Sequence, residues 1–246
     1  MTFLVDVKDH TMSTIRPTAN RIQTCRMMLV LVCMSTFVVI QSGCVDTLMM
    51  AGKVLMGDPV QPSGFELATG VSLAEDQKRV LVHCSAPSYL SDEFDTLTSD
   101  IQEELIRRMK RRGMAVMHAD AAADVLDDYA GQFDPNLLAM QLDDVDYIFH
   151  VQFESFTYRE DNSPNLYRGK ASGKIVAHEI VRGKDGAGQH AIQVYDQLFN
   201  MTHPTTHPVA VDQMPKTVFI RKFTNKLADE LGHTFYSVKN SDLFVK

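Results

Sequence analysis

The apolar positions of this chain change their spacing along its length, and each spacing predicts an element. Residues 79–84 (RVLVHC) form a short apolar run with β-branched members, a buried strand ended by Ser85-Ala86-Pro87. Phe94, Leu97, Ile101, Leu105 and Met109 then recur at three- and four-residue spacing, one stripe of an amphipathic helix. Ser91 is placed to cap it, with Asp92 and Glu93 in the first turn. Arg107, Arg108, Lys110, Arg111 and Arg112 crowd its last turns as a solvated cationic end, and Gly113 stops it. Residues 114–118 read as a second strand. Asp120 opens a helix to about Tyr129, Pro135 opens a short one to about Leu142, and Asp146 precedes a third strand, 147–158. The order β-α-β-α-β implies parallel neighbours joined by helical crossovers.

After residue 158 the rhythm changes. Polar turns at 160–165 (EDNSPN) and 182–188 (RGKDGAG) separate long strands at 166–181 and 189–202, an antiparallel meander. Tyr147, Phe149, Val151 and Phe153 share one face of the third strand, and His150, Gln152 and Glu154 the other. Matching polar face to polar face puts Gln152 beside Lys174, and Glu154 beside Ser172 within diagonal reach of Lys170. The set His150, Gln152, Glu154, Lys170, Lys174 and His178 is therefore a candidate docking face, on a side of the sheet expected to be wet or shared with a partner. A last helix runs from about Asp212 to Leu231, with Phe219, Phe223, Leu227 and Leu231 as its buried stripe. The predicted fold class is α/β: a mixed sheet of β-α-β-α-β crossovers, then an antiparallel meander and a C-terminal helix.

One apolar run does not fit this body. Residues 27–40 (MMLVLVCMSTFVVI) are too short for a spanning helix, which needs about 20 residues, but suit the apolar centre of an export signal. Arg16, Arg21 and Arg26 precede it, and Gln41, Ser42, Gly43 and Cys44 follow. The opening MTFLVDVKDHT carries two aspartates, unlike a signal; a start at Met12 gives three arginines and no acid before the run. Ser42-Gly43-Cys44 resembles the bacterial lipobox, although Gln41 stands where that pattern wants Leu, Val or Ile. The resemblance implies cleavage between Gly43 and Cys44 and a diacylglycerol on the Cys44 thiol. Acyl chains stabilise membrane attachment by about 0.8 kcal/mol per buried CH₂. Val45, rather than the aspartate that retains some lipoproteins in the inner membrane, follows Cys44, so the expected site is the outer membrane, facing the periplasm. An ordinary secretory signal, an uncleaved anchor and an internal helix are the alternatives.

The expected organisation is a signal peptide over 1–43, a lipidated N-terminus with a short helix and a linker over 44–77, one α/β domain over 78–238, and a tail over 239–246. Of Cys25, Cys33, Cys44 and Cys84, only Cys84 remains free after processing, which excludes an internal disulfide framework. The whole chain carries −7 and the segment before Cys44 carries +2, so a chain starting at Cys44 carries −9. Such a body repels nucleic acid.

The element order, from RVLVHCSAP through the helix ending in RRGM to the phrase DDVDYIFHVQF and the meander, resembles the curli-secretion lipoprotein, the penicillin-binding-protein activator lipoproteins and the amino-terminal domain of TolB. In that superfamily a short phrase of the GADYII type begins the long strand. Val145-Asp146-Tyr147-Ile148 matches it in kind without the glycine, and the resemblance covers roughly residues 78–235. It implies an envelope protein that works by contact, with an envelope protein partner or as a homo-oligomer, and it carries over no catalytic residues and no cofactor. The chain is also similar to uncharacterised bacterial lipoproteins.

No strong catalytic signature is present. GKASGK (169–174) is one residue short of a phosphate loop, and Ile175 replaces the magnesium-binding Ser/Thr, so it reads as plain strand. His83, His118 and His150 fall at predicted parallel strands and form the rival set, a metal-dependent envelope hydrolase. HPTTHP (203–208) reads as an ordered loop. Cys84 reads as a small buried hydrophobe.

Overall fold

A computed structural model describes residues 59–127, 129, 132–183 and 188–240. The expected leader, the Gly43–Cys44 junction, the segment to Asp58, the turn at 184–187 and the end of the tail lie outside the described residues.

The chain forms β1 (Val60–Gln61), α1 (Gly64–Thr69), β2 (Arg79–Ser85), α2 (Ser88–Glu93), α3 (Leu97–Arg111), β3 (Ala115–Val116), α4 (Asp120–Asp127) and α5 (Pro135–Gln141). Then come β4 (Tyr147–Glu160), β5 (Ser163–Arg182), β6 (Gln189–His203), β7 (Val209–Ala210), α6 (Lys216–Gly232) and β8 (Val238–Lys239). The main sheet has the order β3-β2-β4-β5-β6, with β7 pairing β5; β1 pairs β8 in a separate two-stranded sheet. β2 is parallel to β3 and β4, and β4, β5 and β6 are antiparallel neighbours. The mixed α/β architecture is thus the one the pattern predicts.

The elements follow local chemistry. Ser63-Gly64-Phe65-Glu66 has capping-box spacing: the Ser63 hydroxyl accepts the Glu66 N–H at 3.1 Å, and Gly70 closes α1 at φ 72°. Asp134 caps α5 by accepting from the Asn136 N–H at 2.9 Å. The hairpin from β4 to β5 turns on Asp161-Asn162, with Asn162 at φ 58°, a region asparagine tolerates.

Three boundaries differ from the expectation. Ser91 caps no helix; α2 starts at Ser88, and the chain breaks at Phe94 before α3, although Leu97, Ile101, Leu105 and Met109 are buried as predicted. α6 begins after Pro215, not at Asp212. Residues 60–77, the later part of the segment expected to hold a short helix and a linker, supply β1, α1 and two core side chains, Phe65 and Leu73. Pro62 and Gly64, residue types that linkers share, here join β1 to the Ser63-capped start of α1.

Two cores flank the sheet. On one face Val80, Val82 and Cys84, Tyr147 through Phe153 at alternate positions, and Phe156 meet α1, α3 and α6. Phe223 packs on Phe156 at 5.2 Å, and Phe219 stacks on Tyr167 at 5.0 Å. On the other face Leu81, Ile148 and Ile180 meet α4 and α5. The first half of β4 is therefore buried on both faces. GKASGK lies in β5, and its glycines have a packing cause. A Cβ on Gly169 would enter the Phe223 ring, and one on Gly173 would strike the Gln152 carbonyl and the Phe199 ring. The cationic end of α3 is not simply solvated. Glu104, only 9% exposed, accepts from Arg107 and Arg108, and Arg108 reaches Asp229 and the Asn225 carbonyl, clamping α3 to α6.

Candidate functional site

The expected docking face lies on one side of the meander, but the fold divides it into a covered end and an open end. The division follows from α4 and α5, which lie across the first half of β4.

At the covered end, the parallel register pairs His83 with His150 and Ser85 with Gln152. β5 brings His178 opposite Ile148. Phe133, in the loop between α4 and α5, lies over them: 3.7 Å from the His150 ring, 5.4 Å and stacked on His83, and 6.5 Å from His178. His150 is 4% exposed. Its Nε2 is 2.7 Å from the Ser85 hydroxyl oxygen, and its Nδ1 is 2.9 Å from the Gln152 amide nitrogen. Burial, reinforced by His83, His178 and Lys174, pushes the His150 ring down to about 3. Burial lowers His83 and His178 as well. The expectation of a wet face is corrected here, because two helices and an aromatic ring cover His150.

This cluster has the look of a serine–histidine pair, and its chemistry decides against that role. The Gln152 amide donates to Nδ1, so the neutral ring carries its proton on Nε2 and donates to the Ser85 oxygen. A base must accept the serine proton at that same atom, and a ring held neutral to about 3 is a weak acceptor. The arrangement is a polar core in which His150 is hydrogen-bonded on both ring nitrogens, while the buried His178 Nδ1 has no hydrogen-bond partner among the described residues.

The rival histidine set does not assemble. His83 and His150 are neighbours, with ring centroids 5.4 Å apart, but His118 sits at the entry to α4, exposed, 3.1 Å from Asp120, in a groove against α3. The third ring of the cluster is His178 instead. Among the described residues no group of three His, Cys, Asp or Glu side chains is arranged to hold a metal ion.

The open end keeps part of the predicted register. Gln152 is opposite Lys174 as expected. Glu154 is displaced by a bulge, so Ser155 takes its place opposite Ser172, with the two hydroxyls 2.6 Å apart. Lys170 is opposite Thr157 and pairs with Glu160 and Asp161, not with Glu154. Lys174 pairs with Asp196 of β6 at 3.3 Å. The open surface is a row of mutually satisfied polar groups. Ser85 and Phe133 were not singled out from sequence. Alternation along RVLVHCS places Ser85 on the His83 face, so a parallel register would have found it; Phe133 sits in a loop with no periodic signal.

Cys84 faces the α3 side of the sheet, 5% exposed, and its backbone N–H donates to the Gln102 side chain at 2.8 Å. Burial raises its thiol far above the usual range. The loop after β6 is ordered by Arg168, which donates to the carbonyls of Pro204, Thr205 and Thr206.

No protein-family model and no curated protein sequence matches the chain. Solved structures are similar to it at low identity. The hypothetical protein CT253 from Chlamydia trachomatis is 14% identical, with 65% of this chain and 98% of that one covered at a TM-score of 0.40. A PelC dodecamer from Paraburkholderia phytofirmans is 11% identical, covering 72% and 98%, also at 0.40. Lipoprotein GNA1162 from Neisseria meningitidis is 10% identical, covering 62% and 99% at 0.32. The last of these is a lipoprotein by name, and all three similarities are low in both identity and score.

Proposed function

We propose that this protein is anchored to the cell envelope through a lipid on Cys44, at the outer membrane and facing the periplasm, and serves there as a non-catalytic assembly or protein-binding module. The observation that carries the reading is the sequence around residues 27–44: an apolar run of signal length behind three arginines, then Ser42-Gly43-Cys44. The body supports the second half of the reading. The serine–histidine contact of Ser85 and His150 has the ring proton on the wrong nitrogen for attack, and the open half of the sheet presents paired polar groups, a surface recognised by contact. The net charge of −9 after residue 43 is set against nucleic acid as a partner. Growth of expressing cells with an alkyne fatty acid tests the anchor: label on the wild type and none on Cys44→Ala is expected, and equal label on both overturns the reading.

A further inference from the structure

The sheet ends on one side at β6, a strand of fifteen residues. Long edge strands invite pairing, and soluble proteins blunt them with lysine, proline, bulges or a cover. The first half of β6 is blunted in this way. Asn136 of α5 accepts the Ala191 N–H at 3.0 Å, and an extra residue, Val194, bulges the strand between Gln193 and Tyr195.

The second half has no such device. From Gln189 to His203 the only Asp, Glu, Lys or Arg is Asp196, already paired with Lys174, and there is no proline. The direction of its backbone groups follows from the ladder. The Ile180 N–H donates to the Asp146 carbonyl beside β4, so even-numbered N–H groups of β5 point toward β4. The β6 residues opposite even β5 positions (Asp196, Leu198, Asn200 and Thr202) therefore turn their own N–H and C=O away from β5. Among the described residues no group pairs with them.

That edge opens on a groove of about 370 Å³, floored by Leu227 and Leu231 of α6 and bordered by α1 and β1. Leu67 and Leu198, the most exposed large apolar side chains among the described residues at 68% and 72%, both line it. The only Asp, Glu, Lys or Arg along it is Glu230. An unpaired edge beside apolar sockets is the arrangement by which a sheet accepts an added strand: main-chain hydrogen bonds hold it, and alternate side chains enter the groove.

We propose that β6 from Asp196 to Thr202, with the groove beside it, receives an extended segment of another protein as an additional strand, and that this segment is apolar at alternate positions and basic between them. Charge selects this occupant. A second copy would bring one acidic body against another, −7 on each full chain, whereas a basic segment meets Glu230 and the acidic body with favourable sign. The inference deepens the binding-module reading and is independent of the anchor; its failure leaves the labelling of Cys44 untouched.

The test uses the full chain in detergent and a fluorescein-labelled peptide of about ten residues alternating valine and lysine, long enough to span the open edge. Saturable anisotropy with a Kd below about 100 µM is expected. Three changes should each weaken it at least about tenfold: glutamate for lysine in the peptide, methylation of alternate peptide nitrogens, and Leu198→Pro, which removes an outward N–H at an edge position that tolerates proline. The methylated peptide decides the matter even where Leu198→Pro alters the circular dichroism. Absence of saturable binding, or equal binding by the methylated and plain peptides, overturns the proposal. So does a self-associated state of the chain in sedimentation that Leu198→Pro disperses, which assigns the edge to a second copy.

Discussion

His150 makes the stability of this protein depend on pH in a way that separates its buried cluster from the carboxylates. Its ring is under Phe133, bonded to Ser85 and Gln152, with His83 and His178 on the same face and Lys174 acting on it from β5. Its folded value lies near 3, against 6.5 for an unperturbed histidine. Between those values the unfolded chain binds a proton that the folded chain refuses, so stability is full above 6.5 and falls as pH falls toward 3. At pH 5 the deficit from this one group relative to pH 7 is about 2 kcal/mol. His83 and His178, also lowered by burial, act in the same direction. The perturbation is His150→Asn, and the assay is urea unfolding at pH 7 and pH 5 for both proteins. The variant is less stable at pH 7, because it loses the ring contact with Phe133, but its further loss on acidification is smaller than the wild type's by about 2 kcal/mol. Equal losses in the two proteins refute the reasoning, since the carboxylates are common to both.

Two further outcomes follow from packing. Gly173→Ala drives a methyl group into the Gln152 carbonyl and the Phe199 ring, and should destabilise the protein by at least about 2 kcal/mol in urea unfolding; a neutral effect would reject the packing account of GKASGK. Cys84, buried with its thiol far from ionising, should resist a thiol reagent at pH 8 in the native protein and react on denaturation. Rapid native labelling at that position would show that the α3 side of the sheet opens.

Much of the architecture was legible because the strongest patterns are long. The stripe from Leu97 to Met109 and that from Phe219 to Leu231 are buried as their spacing requires, and the shift from crossovers to meander lies at the polar turn 160–165. The polar face was legible only in part. Alternation set Gln152 opposite Lys174, but alternation is a local rule. It cannot foresee that Glu154 bulges out, or that α4 and α5 lie back across His150. The covering of His150 depends on Phe133, in a loop whose course is fixed by tertiary packing alone. The same limit explains His118, which shares a strand-end signal with His83 yet turns to Asp120 beside α3. Glycines were ambiguous for a different reason: Gly169 and Gly173 suggest a phosphate loop by spacing, and only the facing Phe223 and Phe199 rings show why they must be small.

The proposed anchor holds this acidic α/β body to the envelope by one acylated sulfur. The most direct measurement is the mass of the amino-terminal peptide of the protein recovered from its native membranes. A peptide that begins at Cys44 and carries acyl mass is expected. A peptide that begins upstream of Gly43, with Cys44 unmodified, would contradict it.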